Sequence, residues 1–542
     1  MDPESAPPLK PDLSTDQDAQ DAHDLAMMGY EQVLTRKFSV WSMFSLAFCV
    51  LGTYYVFGQD LASGIANGAS ITILWGLVLV TACNICVALS LGELASSMPI
   101  ALGQAYWTYR LWNSPLGHFV SYMCAWINTF GWWALSASLN AFIADFLLNI
   151  KVMFDPDWPL VNQGWLHFVV YVGVTAVLTA FNVVACRKEQ VLPWLNNFVG
   201  SWYALQFVVL SLALLISVGV KPELSFQSAK FVFGHWRNKT GWSDGVIWFM
   251  GLVQSAYGLT AYDSVIHMIE EIPAPRRNVP RVMWFAILSG AFTGFVFMMV
   301  CLFCIQDMEK IAAASLPFIT LLHDTVGLQG AATLITLFTF NGIGQAISVT
   351  TTSGRLTWGF ARDGGLPFSK FLSHVNPVWQ VPARAMWAQG TIISLIGILY
   401  FFSNTVLDAI LSVSTVALTI SYAIPITALL ATGRNRLPPG PFRLGRLGPV
   451  LNWVSIIYCV ITTIFFLFPP SPNPSGADMN YAIAVLGVML VIALTFWVIT
   501  GRYSYARAED SLIQLVQAQQ PENAEEPVGE QPVADKKEKE DT

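Results

Sequence analysis

Between residues 36 and 507 the chain is a succession of long apolar runs separated by short polar connections, with a strongly polar stretch at either end. A run of about 20 apolar residues is what a helix needs to cross the hydrocarbon of a bilayer. Twelve such runs fall near 42–66, 70–98, 117–149, 164–185, 190–219, 244–269, 283–305, 328–360, 383–402, 407–431, 446–468 and 480–500. The pattern predicts an all-α polytopic membrane protein of twelve transmembrane helices. The tails, 1–35 and 508–542, are too polar to bury a core and read as disordered cytosolic segments flanking a twelve-helix domain over 36–507.

Two of the runs are interrupted. The first, SMFSLAFCVLGTYYVFGQDLASGI, carries Gly52 and Thr53 near its middle and Asp60 beyond them; the sixth carries Gly258, Leu259 and Thr260, then Asp263. They lie five runs apart, as counterparts in a 5+5 arrangement: repeat one about 38–219, repeat two about 242–431, and two further helices at about 446–500. An unwound turn frees backbone N–H and C=O groups that cannot face lipid but can line a cavity and hold a polar solute. Asp263 then has two readings, as N-cap of the restarting helix or as a contact for a cationic substrate or a proton. In a helix, Asp263, His267 and Glu271 share one face, which outlines a proton stripe; Glu270 and Glu271 alternatively reach the interface and pair with Arg276, Arg277 or Arg281.

Composition sharpens this picture. The chain is 54% hydrophobic and 12% charged, against roughly 25% charged in ordinary soluble domains. Eighteen lysines and arginines fall on the connections of one side and six on the other, which places the basic side, and both termini, in the cytosol. The net charge of -7 comes largely from the acidic tails and implies no nucleic-acid partner; the partner implied is the lipid bilayer. In the outer loop between runs five and six, Asn238-Lys239-Thr240 is an N-glycosylation acceptor pattern. The pairs Cys83/Cys86 and Cys301/Cys304 have metal-site spacing but lie inside apolar runs, and read as packing residues. No H-E-x-x-H pattern and no phosphate-binding glycine loop ending in GK[ST] is present, so the sequence predicts no enzyme, no cofactor, no metal and no ATP-driven pump. Of the 20 tryptophans most mark interfaces, whereas Trp126, Trp132 and Trp133 lie deeper and read as cavity rings or as packing.

The stretch YDSVIHMIEEIPAPRRNVPRVM (262–283) resembles the signature after the sixth helix of amino acid-polyamine-organocation permeases, in particular the fungal amino acid/choline branch that includes GABA and choline permeases. FSVWSMFSLAF (38–48), ALSLGELASSMPIALGQAYW (88–107) and SGRLTWGFARDGGLP (353–367) agree with it in order and spacing. The resemblance implies a LeuT-type fold with broken helices 1 and 6, and alternating-access transport of an amino acid, choline or related small amine, usually driven by protons. It implies that Leu51, Gly52 and Thr53 meet a substrate carboxylate, and that Tyr257, Gly258, Leu259, Thr260 and Ala261 meet the ammonium group. Glu93 matches a carboxylate at the cytosolic end of the second helix, a gate or fold residue. The third run resembles the family around Trp126, Asn128 and Gly131, but Trp132 stands where the family carries a polar residue. The fifth run lacks the lysine that some relatives use in place of a sodium site, so proton coupling rests on the family alone. Together these readings make Leu51, Gly52, Thr53, Trp126, Trp132, Tyr257, Gly258, Leu259, Thr260, Ala261 and Asp263 the candidate substrate site, and Glu93, Asp263 and His267 the candidate gating or proton-coupling groups. The membrane expected is the plasma membrane, with the vacuolar membrane as the other candidate. The competing readings are a transporter of an amine-like secondary metabolite and a non-transporting nutrient sensor of the same fold.

Overall fold

With no water in hydrocarbon to bind its amides, each apolar run has to satisfy its backbone internally, and the described residues do so as helices. The computed structural model describes residues 13–506 apart from 31, 188–189, 315, 377–380, 402–403 and 477–478. The predicted disorder of 1–12 and 508–542 lies outside the described residues.

In chain order, α1 is Leu13–Ala26, ahead of any apolar run, and α2 (Val40–Leu51) and α3 (Thr53–Gln59) are the halves of the first run. Then come α4 (Leu77–Ser97), α5 (Gln104–Leu111), α6 (Pro115–Phe154), α7 (Gly164–Ala185) and α8 (Val191–Val220). The sixth run yields α9 (Leu252–Gly258) and α10 (Ser264–His267), followed by α11 (Pro275–Cys304) and α12 (Leu328–Arg362). The chain continues through α13 (Ala383–Ile396), α14 (Asn404–Thr432), α15 (Gly448–Phe465) and α16 (Ala482–Phe496).

Among the described residues ten helices are long and apolar enough to cross a bilayer. The other two predicted runs are divided. The sixth is split into Asp244–Met250, α9 and α10, and the ninth passes from α13 into a 3-10 turn at Gly397–Phe401. The window of the α2–α3 span that is most apolar is 83% buried, against 22% for the span containing α16, so the broken first run is central and the last helix faces lipid. Around the centre, α6 packs on α12 and α14, α11 on α4 and α2, and α2 on α8.

The N-terminal tail corrects the sequence reading. Residues 13–35 were expected to be disordered from their polar average, yet α1 forms and the segment after it is docked, with Leu25, Tyr30, Leu34 and Phe38 buried. The reason is polar as well as apolar. Asp21 accepts the Ala274 N–H (2.9 Å) at the start of α11, Asp24 meets Arg276 (3.1 Å), and Arg36 meets Asp18 (3.3 Å).

The two interruptions differ in width. Gly52 alone turns left-handed (φ +53°, ψ 30°) between α2 and α3, and its own N–H and C=O still bond to Phe48 and Val56. A Cβ there would sit 2.2 Å from Gln345 Nε2 on α12, so both the dihedral and the space demand glycine. The second interruption runs from Leu259 to Asp263 and includes Ala261 at φ +66°, a conformation costing a non-glycine residue about 1–2 kcal/mol. Gly258 lies against Phe57 of α3, where a Cβ would meet the ring at 2.4 Å, so the two breaks touch. We expect Gly52→Ala and Gly258→Leu each to abolish transport and lower the thermal unfolding midpoint of the purified protein. A midpoint and uptake equal to wild type in Gly52→Ala would contradict the close fit against Gln345.

Candidate functional site

The residues after the second break form a densely bonded polar cluster in the interior. Asp263 occupies the N-cap position of α10, but its side chain makes no capping bond, which corrects the N-cap reading. Instead its carboxylate, fully buried, turns across the bundle. Oδ1 accepts from Tyr422 Oη of α14 (2.7 Å); Oδ2 accepts from Gln104 Nε2 of α5 (2.8 Å) and Trp132 Nε1 of α6 (3.3 Å), and faces His267 Nε2 (3.0 Å). Tyr422 Oη in turn accepts the Ala261 N–H (3.2 Å) and so holds the left-handed residue in place. Oδ2 is thus saturated by its three neighbours, whereas Oδ1 has the Tyr422 hydroxyl as its one side-chain donor among the described residues, and the whole carboxylate is shielded from solvent.

The protonation of the pair follows from counting donors. His267 Nδ1 lies 2.8 Å from the Ala101 carbonyl, which can only accept, so Nδ1 carries a hydrogen. Nε2 lies 3.0 Å from an Asp263 oxygen, and two lone pairs do not approach so closely without a proton between them. One proton is therefore shared by the pair, as imidazolium and carboxylate or as imidazole and carboxylic acid. Asn128 Nδ2 stands 3.4 Å from the same Nε2, and is the donor that can satisfy the ring when that proton leaves.

Around both breaks, several of the groups that unwinding frees are met by side chains rather than offered to a solute. Val50 O accepts from Gln345 Nε2 (3.0 Å), Leu259 O accepts from Asn84 Nδ2 (3.2 Å), and the Gly52 N–H stays in the helical ladder. Of the amides expected to stand open at Leu51, Gly52 and Thr53, that of Gly52 is thus already used. Leu51 is packed in the core, and Thr53 sits against Gly290 and Gly294 of α11. Tyr257 joins α9 to α6 through Ser138 Oγ (2.8 Å), and Thr260 is buried beside it in the break.

The structure thus brings Leu51, Gly52, Thr53, Trp132, Tyr257, Gly258, Leu259, Thr260, Ala261, Asp263 and His267 into one region, and leaves two candidates, Trp126 and Glu93, outside it. Trp126 stacks on Phe496 of α16 (5.7 Å) and meets Phe360 edge-on (5.7 Å), in an aromatic cluster away from the break. Glu93 chelates Arg434 with both oxygens (2.7 and 2.6 Å) and accepts the Leu444 N–H (2.9 Å), pinning the α14–α15 connection to the end of α4.

The glutamates after α10 also find partners other than those expected. Glu271 meets Arg355 (2.9 Å) and Glu270 meets Arg362 with both oxygens (3.0 Å each), both on α12, in place of Arg276, Arg277 or Arg281. Glu271 therefore does not extend the Asp263–His267 contact as a stripe. The N-terminal segment closes over this layer. Tyr30 Oη donates to Asp363 (2.9 Å), its ring lies under the Arg362 guanidinium (4.4 Å), Gln32 Nε2 donates to Glu270 O (3.0 Å) and the Phe38 N–H to Glu271 O (3.2 Å).

Gln104, Tyr422, Asn84, Gln345, Arg355 and Arg362 were not singled out from sequence. The signal they share is that each is a polar side chain set within or beside an apolar run, and Gln104, Arg355 and Arg362 also fall inside the stretches 88–107 and 353–367 that resemble the family. In the outer loop, both amide hydrogens of Asn238 are used, toward Trp242 O (2.9 Å) and Asp244 Oδ1 (2.8 Å). Nearby, hydrogen bonds from Arg237 and Lys239 hold the Glu309 carboxyl down at about 2, so it stays ionised at neutral and mildly acidic pH. Among the described residues no group of three His, Cys, Asp or Glu side chains could hold a metal.

A family model described as "Amino acid permease" matches residues 38–492. The chain is 30% identical over 511 residues to a choline transporter of Saccharomyces cerevisiae, covering 93% of this chain and 89% of that one. It is 25% identical to the GABA-specific permease of the same yeast (88% and 83% covered) and 26% identical to an amino-acid permease of Arabidopsis thaliana (88% and 94% covered). The helices, the paired breaks and these matches agree: the chain is a multi-pass membrane transporter, not an enzyme, and belongs to the amino acid permease family.

Proposed function

We propose that this permease is a secondary active transporter that moves a small amine by alternating access, coupled to protons, with choline-like ammonium compounds ahead of amino acids. The observation that carries the reading is the second break, where the Asp263 carboxylate lies 3.0 Å from His267 directly beyond the unwound turn. An amino acid needs free amides for its carboxylate, and at the first break the Gly52 amide is already used. A quaternary or protonated amine needs ring faces and carbonyls, each ring worth about 0.5–2 kcal/mol. Tyr257, Tyr262 and Trp132 supply rings at the second break. The yeast relative named a choline transporter supports the same substrate class.

In this reading the divided sixth run and the ninth run each cross once, giving twelve crossings in a 5+5 inverted repeat with both termini in the cytosol of a plasma-membrane protein. Glu270–Arg362, Glu271–Arg355 and the Tyr30–Asp363 contact form the cytosolic closure. Release of substrate parts this layer, and return of the empty carrier follows loss of the proton from His267.

The test is a radiolabelled panel of choline, GABA, basic amino acids and polyamines in a permease-deficient host across external pH. The expected result is saturable choline uptake that rises as external pH falls and disappears in Gly258→Leu. Binding without uptake would instead mark a sensor, and uptake of GABA ahead of choline would overturn the substrate assignment.

A further inference from the structure

We infer that the cytosolic ends of α2 and α11 form a binding site for an anionic phospholipid of the inner leaflet. Both helices begin on the same side of the molecule and run in the same direction, and they meet where the rings of Phe44, in the second turn of α2, and Phe285, in the third turn of α11, lie 5.0 Å apart. One turn closer to the helix starts, Trp41 packs on Phe44 (5.4 Å) from α2, and Arg281 precedes Phe285 on α11. A turn further out are Lys37 and Arg277. The neighbouring Phe38 N–H bonds to Glu271 O in the connection leading into α11, which keeps Lys37 beside that helix start.

Burial and charge point to what covers this face. Trp41 (60%), Phe285 (47%) and Phe292 (66%) are exposed, and Arg281, Phe285, Leu288 and Phe292 recur at the spacing of a single helix face. Exposed rings at this depth have acyl chains as their natural cover. Arg36, Arg276, Arg355, Arg362 and Arg434 each meet a carboxylate. By contrast, Lys37, Arg277 and Arg281 meet none among the described residues, so the apolar face is crowned by uncompensated positive charge. The first amides of α2, a twelve-residue helix, add partial positive charge beside it. A phosphate or carboxylate headgroup satisfies the cations while its chains lie along Trp41, Phe44 and Phe285. The acidic headgroup is the discriminating element, since a zwitterionic lipid offers the same chains without net charge.

The experiment is lipid titration of the purified full-length chain followed by native mass spectrometry, with phosphatidylserine, phosphatidylcholine and soluble glycerophosphoserine as three separate probes. Phosphatidylserine is expected to bind at one retained site more tightly than phosphatidylcholine, with its advantage falling about fivefold for each of Lys37→Gln and Arg281→Gln. Arg281→Lys should keep the advantage, and Arg446→Gln, on the α14–α15 connection, should leave it unchanged. Equal retention of the two lipids, or the same loss in Arg446→Gln as in Arg281→Gln, would overturn the site. Binding of glycerophosphoserine as strong as that of the lipid would likewise overturn it, because the acyl chains would then contribute nothing.

Discussion

Asp263→Asn is expected to lose gradient-driven accumulation while keeping exchange of internal for external substrate. Net uptake requires the empty carrier to return with a changed proton load, and exchange does not. Without a proton to share, the return of the empty carrier is uncoupled from the gradient, and accumulation is expected to fall about a hundredfold or more, a loss of about 3 kcal/mol. The asparagine still accepts from Tyr422 and faces Gln104, so the break at Ala261 keeps its Tyr422 support. His267→Gln is the companion variant, because glutamine can donate to the Ala101 carbonyl as the ring does and has no proton to share with Asp263. Both should show exchange that no longer responds to external pH. Loss of exchange together with accumulation in both variants, at wild-type expression and thermal stability, would mean that the pair holds the substrate site in shape and carries no proton.

A second large effect is expected at the cytosolic closure, and the protein supplies its own reporter. Cys186 is buried, and both terminal nitrogens of Arg355 lie 3.5 Å from its sulfur, so the thiol is covered by the arginine that Glu271 orients. Arg355→Ala leaves Glu271 buried without its cation, at a cost of about 3–5 kcal/mol, and that bias favours arrangements in which the layer is open to water. Labelling of Cys186 by a membrane-permeant maleimide should rise at least tenfold in Arg355→Ala and in Glu271→Gln, with Cys186→Ser identifying the signal against Cys83 and Cys86. Substrate that stabilises a closed state should slow the reaction. Unchanged labelling in both variants would show that this layer does not gate the cytosolic side.

How far these features were legible in sequence depends on the range of the interactions that make them. The apolar runs and their glycine and threonine interruptions are local, and the breaks fall at Gly52 and beyond Gly258 as the residues indicated. The partners of Asp263 are not local. Gln104 and Tyr422 each lie 159 positions away and Trp132 lies 131 away, so the sequence offered the carboxylate an N-cap role or a contact with a cation or proton and named none of these partners. The glutamates failed for the same reason, since Arg355 is 84 positions from Glu271 while Arg276 is only five. The N-terminal segment misled in another way. Its average polarity is that of a disordered tail, but Tyr30, Leu34 and Phe38 recur every fourth residue and are buried, Tyr30 against Tyr106 and Asp363 and Leu34 against Trp358 and Ala385, partners far along the chain. Family likeness reached the broken helices and the motif after the sixth, and it did not reach Gln345 or Asn84, whose amides close the carbonyls that the likeness had left open.

The claim on which the account rests is that substrate and proton cross together on this one chain. Its most direct measurement is the internal pH of proteoliposomes containing the purified protein, recorded with an entrapped dye as choline is added outside with no initial gradient. The account predicts immediate internal acidification that saturates with choline and is absent in Asp263→Asn. Choline accumulation with no movement of protons would contradict it.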